Sequence, residues 1–166
     1  MLRKGFTLIE LMVTIAIAAI LLALAAPAFQ GLLVSNRITA QTNDLVSDLA
    51  FARSEAIKRG VTISVCFANN ATTCGAGTAW TGGWLIFVDT GTAGDSTGDT
   101  ILRFHEALRG NNTLNSSVNH FISYFPSGTV DAEERFRLCS TGFRGREVDI
   151  SATGRVTTTT TTLNCP

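Results

Sequence analysis

A single carboxylate, Glu10, lies inside an otherwise uncharged apolar stretch near the start of the chain. The residues from Leu11 to Phe29 carry no ionisable side chain, and only Arg3 and Lys4 are charged before Glu10. A carboxylate within such a stretch is costly and usually has a function. An unpaired buried charge is very unfavourable, so the function expected of this carboxylate is to form an ion pair. Glu10 is therefore predicted to meet a positive partner.

The four cysteines are the second set of residues with chemistry of their own. Their spacings do not make paired C-x-x-C zinc sites, and the chain has only two histidines, so we expect no metal and no other cofactor. An even cysteine count favours disulfides in a domain that lies outside the cytoplasm. The pairing that we favour is Cys66–Cys74, which closes a short loop, and Cys139–Cys165, which pins the C-terminus. Buried free thiols are the alternative.

Residues 89–91 read Asp-Thr-Gly, the tripeptide of aspartic proteases, but the chain holds no second copy. Asp and Gly are favoured in turns, so this segment is predicted to be a turn after a strand. Asp89, Asp95 and Asp99 offer oxygen ligands of the kind that bind calcium, but their spacing does not fit an EF-hand loop. Solvated loop carboxylates are the favoured interpretation.

Neither histidine suggests catalysis. His105 is next to Glu106, and His120 precedes a predicted strand, with no serine or cysteine near either in a recognised catalytic arrangement. No set of nucleophile, base and orienting group can be drawn. The chain is therefore predicted not to be an enzyme.

The C-terminal segment is locally basic, with five arginines from position 135 onward against Glu147 and Asp149. Arg144 and Arg146 flank a glycine, and Arg155 follows one. Arg144, Arg146 and Arg155 are therefore candidate contacts for nucleic-acid phosphates. Surface arginines that pair with local carboxylates are the favoured alternative.

The element that positions Glu10 is a helix long enough to cross a membrane. Residues 6–29 meet the roughly 20 apolar residues that a bilayer core requires. Arg3 and Lys4 place the start of the chain on the cytoplasmic side. A secretory signal peptide, cut between Ala23 and Ala28, is one alternative. An ordinary membrane anchor is another, but it does not explain Glu10.

The sequence Gly-Phe-Thr-Leu-Ile-Glu at residues 5–10 resembles the processing motif of type IV pilins and type II secretion pseudopilins. The resemblance implies that a prepilin peptidase cuts after Gly5 and methylates the new N-terminal residue, Phe6. Glu10 then becomes the fifth mature residue, and its expected partner is the N-terminal amine of a neighbouring subunit. Pro27 falls at mature position 22, where many members of the family also have a proline.

The helix is predicted to continue beyond the membrane. Apolar residues recur at helical spacing over residues 38–56 and define one face: Ile38, Leu45, Leu49, Ala52 and Ala56. Lys58 and Arg59 in the last turn, followed by Gly60, indicate the end of the helix. Pro27 and Gly31 are expected to kink or loosen it.

After Gly60 the pattern changes to short strands separated by turns. The predicted strands are residues 61–67, 84–88, 101–104, 121–125, 135–139, 147–151 and 156–158. Residues 91–119 outside the third strand carry no motif that predicts structure. The fold class is therefore α+β, with a long N-terminal helix packed on an antiparallel sheet or small β-sandwich.

Several segments of the head resemble the GspH/FimT group of minor pilins and minor pseudopilins. They are Ala-Arg-Ser-Glu-Ala-Ile-Lys-Arg-Gly at 52–60, Val-Thr-Ile-Ser-Val-Cys at 61–66, the W-x-x-G-W-x-I-F-x-D run at 80–89 and Ser-Ala-Thr-Gly-Arg-Val at 151–156. The resemblance implies a type IV pilin-like fold and a subunit at or near a filament tip that helps to start assembly. Some FimT-type pilins bind DNA through a C-terminal Gly-Arg-x-Arg pattern. Here Arg155 supplies the first arginine of that pattern, but Thr157 stands where the second would be.

The sequence divides into a leader (1–5), a transmembrane and assembly helix (6–29), an amphipathic half of the helix (30–60) and a β-rich head (61–166). Without the leader, 11 basic side chains stand against 13 acidic ones, a balance that disfavours general nucleic-acid binding. We predict a structural subunit in the bacterial inner membrane, with its head in the periplasm, that later enters a pilus. Its expected partners are prepilin peptidase and other minor and major pilins. The alternatives are a type II secretion minor pseudopilin and a FimT-like DNA receptor.

Overall fold

The computed structural model of the chain describes residues 7–117 and 120–165. Within them, one long helix precedes a head of eight strands and one short 3-10 helix. The elements are α1 (Leu8–Arg59), β1 (Ile63–Phe67), the 3-10 helix (Trp80–Gly82), β2 (Trp84–Val88), β3 (Thr100–His105), β4 (Asn112–Ser116), β5 (Phe121–Tyr124), β6 (Glu134–Ser140), β7 (Arg144–Ile150) and β8 (Val156–Asn164). This order confirms the predicted fold class.

Both ends of α1 have the caps that its sequence favours. The Thr7 hydroxyl accepts a hydrogen bond from the backbone N–H of Glu10 at 3.3 Å. At the other end Gly60 adopts the left-handed conformation, with φ of 68°, which glycine tolerates better than other residues. The helical backbone runs through Pro27 and Gly31 without a break, so the bend expected there does not divide the helix.

The second half of α1 packs into the head along the predicted apolar face. Its five residues are each at most 2% exposed: Ile38, Leu45, Leu49, Ala52 and Ala56. Burying one large aliphatic side chain contributes about 1.5–3 kcal/mol. Arg53, on the same half, donates through Nε to the Gly128 carbonyl at 2.9 Å and through Nη2 to the Thr153 carbonyl at 3.0 Å. The helix is thus held by its apolar face and by two turns of the head.

The strands form two four-stranded antiparallel sheets. The first has the order β3-β2-β1-β5 and the second has the order β4-β6-β7-β8. The continuous apolar run of β2 lies inside the first sheet, between β3 and β1, a position that suits a strand without polar residues. Residues of α1 and of both sheets share one apolar core, which makes the buried half of the helix a structural part of the head.

The first strand differs from its prediction. Apolar and polar residues alternate over residues 61–67, a pattern that is typical of a half-buried strand, but β1 begins at Ile63 and Ser64 is fully buried. The reason is a second apolar cluster, which includes Leu85 and Phe87 and covers the other face of this sheet. Ser64 is satisfied there, because its hydroxyl donates to Asp89 at 2.5 Å and lies 2.8 Å from the Ser123 hydroxyl.

Two strands of the second sheet differ from the prediction: one was missed and the other is longer than expected. β4 was not predicted, because Asn112–Ser116 contains one apolar residue, Leu114, among polar ones. It is nonetheless paired along its length with β6. β8 extends through the threonine-rich segment to Asn164, beyond the strand predicted at residues 156–158. Both features depend on backbone pairing with a neighbouring strand, and the sequence pattern of one strand alone does not predict that pairing.

Two disulfides join the four cysteines in the favoured pairing. Cys66–Cys74 spans 8 residues, and Cys139–Cys165 spans 26. The second bond ties β6 to the residue that follows β8. It packs against Gly145, where an added Cβ would lie 2.8 Å and 3.0 Å from the two sulfurs. Because a side chain at that position would meet the bond, Gly145 is part of this C-terminal anchor.

Removing the second bond is expected to destabilise the head. A loop of this length contributes about 2–4 kcal/mol, mainly by restricting the unfolded chain. We expect the double variant Cys139→Ser/Cys165→Ser to lower the melting temperature of the soluble head, starting at Gln30, and to expose residues 157–162 to proteolysis. The matched control, Cys66→Ser/Cys74→Ser, opens the shorter loop and should cost less. Equal melting temperatures for the wild-type head and the first variant would contradict the prediction.

Candidate functional site: the exposed half of the long helix

The first half of α1 is largely exposed. Every described side chain from Leu8 to Leu24 is exposed, although most are large and apolar. By length and composition alone, α1 is apolar enough to cross a membrane, with a mean hydropathy of 2.7 over a stretch of which none is buried. Apolar area of this extent is unfavourable in water. This half of the helix therefore needs a bilayer or other apolar helices around it.

Glu10 lies in the first turn of this exposed half. It is the only ionisable side chain between Thr7 and Arg37. It is exposed, and its carboxylate has no ion pair among the described residues. Pro27 is about 25 Å farther along the same helix at about 1.5 Å per residue. The predicted processing residues, Gly5 and Phe6, lie outside the described part of the chain.

A second carboxylate on α1, Asp48, is only 4% exposed and joins the helix to two strands. Trp84 Nε1 donates to Asp48 Oδ2 at 2.9 Å, and Arg103 Nη1 donates to Oδ1 at 2.5 Å. His105 Nδ1 lies 3.3 Å from Oδ2. The Trp84 and His105 rings stack with their centroids 4.0 Å apart. We call Asp48, Trp84, Arg103 and His105 the Asp48 cluster.

The electrostatics of the Asp48 cluster favour the ionised carboxylate. Burial raises the pKa of Asp48, but the hydrogen bonds with His105, Arg103 and Trp84, together with the Arg103 charge, outweigh it and hold the pKa below its ordinary value. In the sequence, Asp48 is a polar residue that interrupts the apolar face of the helix, and helical periodicity alone does not identify this cluster. The clue is a carboxylate one residue before the apolar Leu49, but the partners are distant in sequence.

The other candidate acidic residues have structural partners. Asp89 accepts from the Ser64 hydroxyl and, at 3.0 Å, from the Gly94 backbone N–H, so it braces the turn that follows β2. Asp95 accepts from the backbone N–H of Thr97 at 3.0 Å. In the part of the chain that the structure describes, no three His, Cys, Asp or Glu side chains lie together as metal ligands.

The arginines of the second sheet fall into two groups. Arg135 pairs with Asp149 at 2.5 Å and Arg137 pairs with Glu147 at 2.6 Å. For Arg144, Arg146 and Arg155 the local pairing favoured from the sequence is not found among the described residues. The three candidate phosphate contacts are not brought together. Arg144 and Arg146 begin β7, whereas Arg155 follows the turn at its other end. The separation along the strand is about 20 Å at about 3.3 Å per residue, so the three do not form one patch.

Comparisons with known proteins assign the chain to a family. The family model for the type II transport protein GspH matches residues 41–154, more than half of the chain. The chain belongs to the GspH family. The prokaryotic N-terminal methylation motif matches residues 1–26, which include the processing motif and Glu10. GspH-family proteins are pilin-like structural subunits, and the resemblance noted in the sequence is confirmed. Among curated proteins, none matches the chain.

Solved structures with the same fold include a minor pilin and a minor pseudopilin. The type IV minor pilin FimU of Pseudomonas aeruginosa PAO1 shares 24% identity, with a TM-score of 0.59, over 74% of this chain and 88% of its own. The minor pseudopilin EpsH from the type 2 secretion system of Vibrio cholerae shares 12% identity, with a TM-score of 0.55, over 75% of this chain and 97% of its own. These likenesses establish the fold of this GspH-family chain.

The scattered arginines lead to a prediction about DNA. Three independent phosphate contacts give a log–log salt slope of only about −2.7 on duplex DNA, which implies weak binding. We therefore expect the soluble GspH-family head, starting at Gln30, to give no mobility shift with DNA at physiological salt. Salt-sensitive binding that disappears when Arg144, Arg146 and Arg155 are changed to Gln would contradict this expectation and would favour the DNA-receptor alternative.

Proposed function

We propose that the chain is a minor pilin, located at or near the tip of a type IV pilus, that helps to start assembly. The observation that carries the proposal is the division of α1 into two halves. One half is buried in the head, and the other half is exposed, apolar and carries Glu10. Such a subunit presents a rigid head on a helix that is stable only among lipids or other helices. The proposed function is structural, without catalysis.

Before assembly, the proposed location is the bacterial inner membrane, with residues 6–29 in the bilayer and the head in the periplasm. Arg3 and Lys4 support this orientation, because basic residues mark the cytoplasmic side of a span. Residues 1–5 are the proposed leader. Residues 30–60 carry the helix into the head at 61–166. The proposed partners are prepilin peptidase and then the other minor and major pilins.

Processing gives a direct prediction. The mature chain is expected to begin at Phe6 and to carry one methyl group on its amine, which keeps its positive charge. Intact-mass analysis of the protein from native membranes measures both features at once. A mature chain that begins after Ala26 or Ala28 would instead establish a cleaved signal peptide and would remove the membrane anchor from the proposal.

The role in starting assembly is tested by deleting the gene in its native host and counting filaments. If the subunit initiates filaments, its deletion should reduce their number. The remaining filaments should have ordinary length, because elongation uses other subunits. Complementation with the intact gene is the control. A filament number that does not change would reject the initiating role. Loss of secreted enzymes with normal pili would assign the chain to the type II secretion alternative.

A further inference from the structure

Four arginines at one end of the head have no ion-pair partner among the described residues. They are Arg37 on α1, Arg109 in the segment between β3 and β4, and Arg144 and Arg146 on β7. By contrast, Arg103, Arg135 and Arg137 each have a carboxylate within 2.6 Å. Arg37, Arg109 and Arg144 are exposed, and Arg146 is half-buried. We call these four the basal arginines.

Contacts with α1 place the basal arginines at the end of the head that is nearest the exposed half of the helix. Phe143, next to Arg144, packs against Gly31, where an added Cβ would lie 3.6 Å from its ring. Arg146 Nη2 reaches the Thr39 hydroxyl at 3.5 Å. Gln41 Nε2 donates to the Arg109 carbonyl at 3.0 Å. Three separate elements thus bring positive charge to the same short stretch of the helix.

That stretch lies at the membrane surface when the helix spans a bilayer. If the apolar core ends near Phe29, Gly31 stands about 3 Å above it and Thr39 about 15 Å above it, at about 1.5 Å per residue. The headgroup layer occupies roughly 5–8 Å on each side of the core. An extended arginine side chain covers much of the distance between these levels of the helix and the headgroup layer. Gln41, which donates to the Arg109 carbonyl, stands about 18 Å above the core on the same scale. The basal arginines therefore stand at and above the headgroup layer.

We propose that the basal arginines bind the headgroups of anionic phospholipids and hold the head against the bilayer before assembly. This proposal rests on the proposed function, because it requires the helix to be in a membrane. Arginine is suited to phosphate, since its planar guanidinium donates two parallel hydrogen bonds. Leu32 and Leu33, which are 56% and 48% exposed, add apolar area at the same level.

Acidic groups at this level reduce the positive charge without cancelling it. Asp44 and Glu106 are exposed and lie with Arg37 and Arg109 around one shallow cavity. Neither carboxylate forms an ion pair with either arginine in the described chain. The Arg37 guanidinium lies against Gly110, where an added Cβ would be 3.1 Å from its central carbon. Arg144 and Arg146 approach the helix from the other sheet. Four positive side chains against two negative ones leave an excess that favours an anionic surface.

Lipid is a better fit than nucleic acid because of where these charges lie. The bilayer occupies the space directly below the basal arginines while the helix is inserted, so a long duplex could not approach them from that side. The lipid contact also has a consequence for assembly. A subunit that leaves the membrane must give up these headgroups, so the contact favours the membrane-resident state over the filament.

The test uses the full-length mature chain in detergent micelles, titrated with equal amounts of phosphatidylglycerol or phosphatidylcholine and examined by native mass spectrometry. Each juxtamembrane arginine is worth about fivefold in affinity for anionic lipid. We therefore expect the intact chain to prefer phosphatidylglycerol by at least about tenfold, and the preference to weaken with added salt. The triple variant Arg37→Gln/Arg109→Gln/Arg144→Gln should lose it.

The matched control removes the same number of arginines elsewhere in the head. Arg135→Gln/Arg137→Gln/Arg155→Gln should keep the lipid preference. The Lys version of the basal triple should also keep most of it, which separates loss of charge from misfolding. Equal binding of both lipids by the intact chain, an equal loss in both triple variants, or binding of a DNA oligonucleotide by the basal arginines in place of lipid would overturn the proposal.

The failure of this proposal can be distinguished from failure of the proposed function. A chain that is inserted, processed and built into filaments, but shows no preference for phosphatidylglycerol, removes the lipid contact and leaves the proposed function intact. A chain that is never inserted in the membrane removes both.

Discussion

Replacing Glu10 with leucine is expected to leave membrane insertion and cleavage unchanged and to reduce the amount of the subunit in sheared filaments by at least about tenfold. Removing one partner of a buried ion pair costs about 3–5 kcal/mol, and about 1.4 kcal/mol is a factor of ten in an equilibrium. Insertion should be unaffected, because leucine is more favourable than glutamate in a bilayer.

The physical basis of this expectation is the isolation of Glu10. Its carboxylate is exposed, and its described neighbours on α1 are apolar apart from Thr7 and Thr14. When apolar helices surround it in a filament, it needs a positive partner, and the methylated N-terminal amine of an adjacent subunit supplies one. Leucine removes the negative charge and leaves that amine unpaired in apolar surroundings.

Matched variants separate charge from shape. Glu10→Gln keeps the length of the side chain and should assemble almost as poorly as Glu10→Leu. Glu10→Asp keeps the charge and should enter filaments in part. Met12→Leu changes the same exposed half of the helix without touching charge and should assemble normally. The measurement is the ratio of filament-bound to membrane-bound subunit on immunoblots. An unchanged ratio for Glu10→Gln would remove the charge-pairing argument.

Periodicity made the helix and most strands predictable. The residues of the buried face, such as Leu45 and Leu49, recur at helical spacing because they contact one continuous core. The apolar run of β2 is predictable for a similar reason, since both faces of that strand are covered. The end of α1 at Gly60 follows from local backbone preference. In each case the determining interactions are repetitive or close in sequence.

The features that were not predicted depend on contacts distant in sequence. Ser64 breaks the apolar pattern of β1, but it is buried because Asp89 and Ser123 satisfy its hydroxyl. β4 forms from a polar sequence because β6 offers a complete row of backbone partners. The separation of Arg144 from Arg155 follows from the length of β7. None of these contacts leaves a periodic signature.

Asp48 is the most consequential of the residues that sequence periodicity did not identify, because its variant is expected to destabilise the head strongly. Asp48→Ala removes the acceptor of the buried Trp84 N–H and the partner of Arg103. Leaving the buried Trp84 N–H without an acceptor costs about 1–3 kcal/mol, and the lost pair with Arg103, whose side chain is 41% exposed, adds up to about 1 kcal/mol. Together they correspond to a drop of roughly 5–15 °C in the melting temperature of a domain of this size. Thermal unfolding of the soluble head measures the effect.

Asp44→Ala is the matched control. Asp44 is one turn earlier on the same helix, but it is exposed and forms no ion pair in the described chain. Its replacement should change the stability by less than about 0.5 kcal/mol. If both variants melt within a few degrees of the wild-type head, the Asp48 cluster does not hold α1 against the first sheet.

The pH dependence of the same variants tests the charge itself. Because the pKa of Asp48 in the folded head lies below its value in the unfolded chain, the carboxylate contributes its full stabilisation above about pH 4. That contribution is lost as the pH falls through the folded pKa, where the native state must also be protonated.

Asp48→Asn keeps the shape and an oxygen for the Trp84 N–H, but has no charge for Arg103. The difference in unfolding free energy between the wild-type head and Asp48→Asn should therefore be constant at neutral pH and shrink below about pH 4. A difference that does not change with acid would show that the cluster acts through shape and neutral hydrogen bonds, without a contribution from the Asp48 charge.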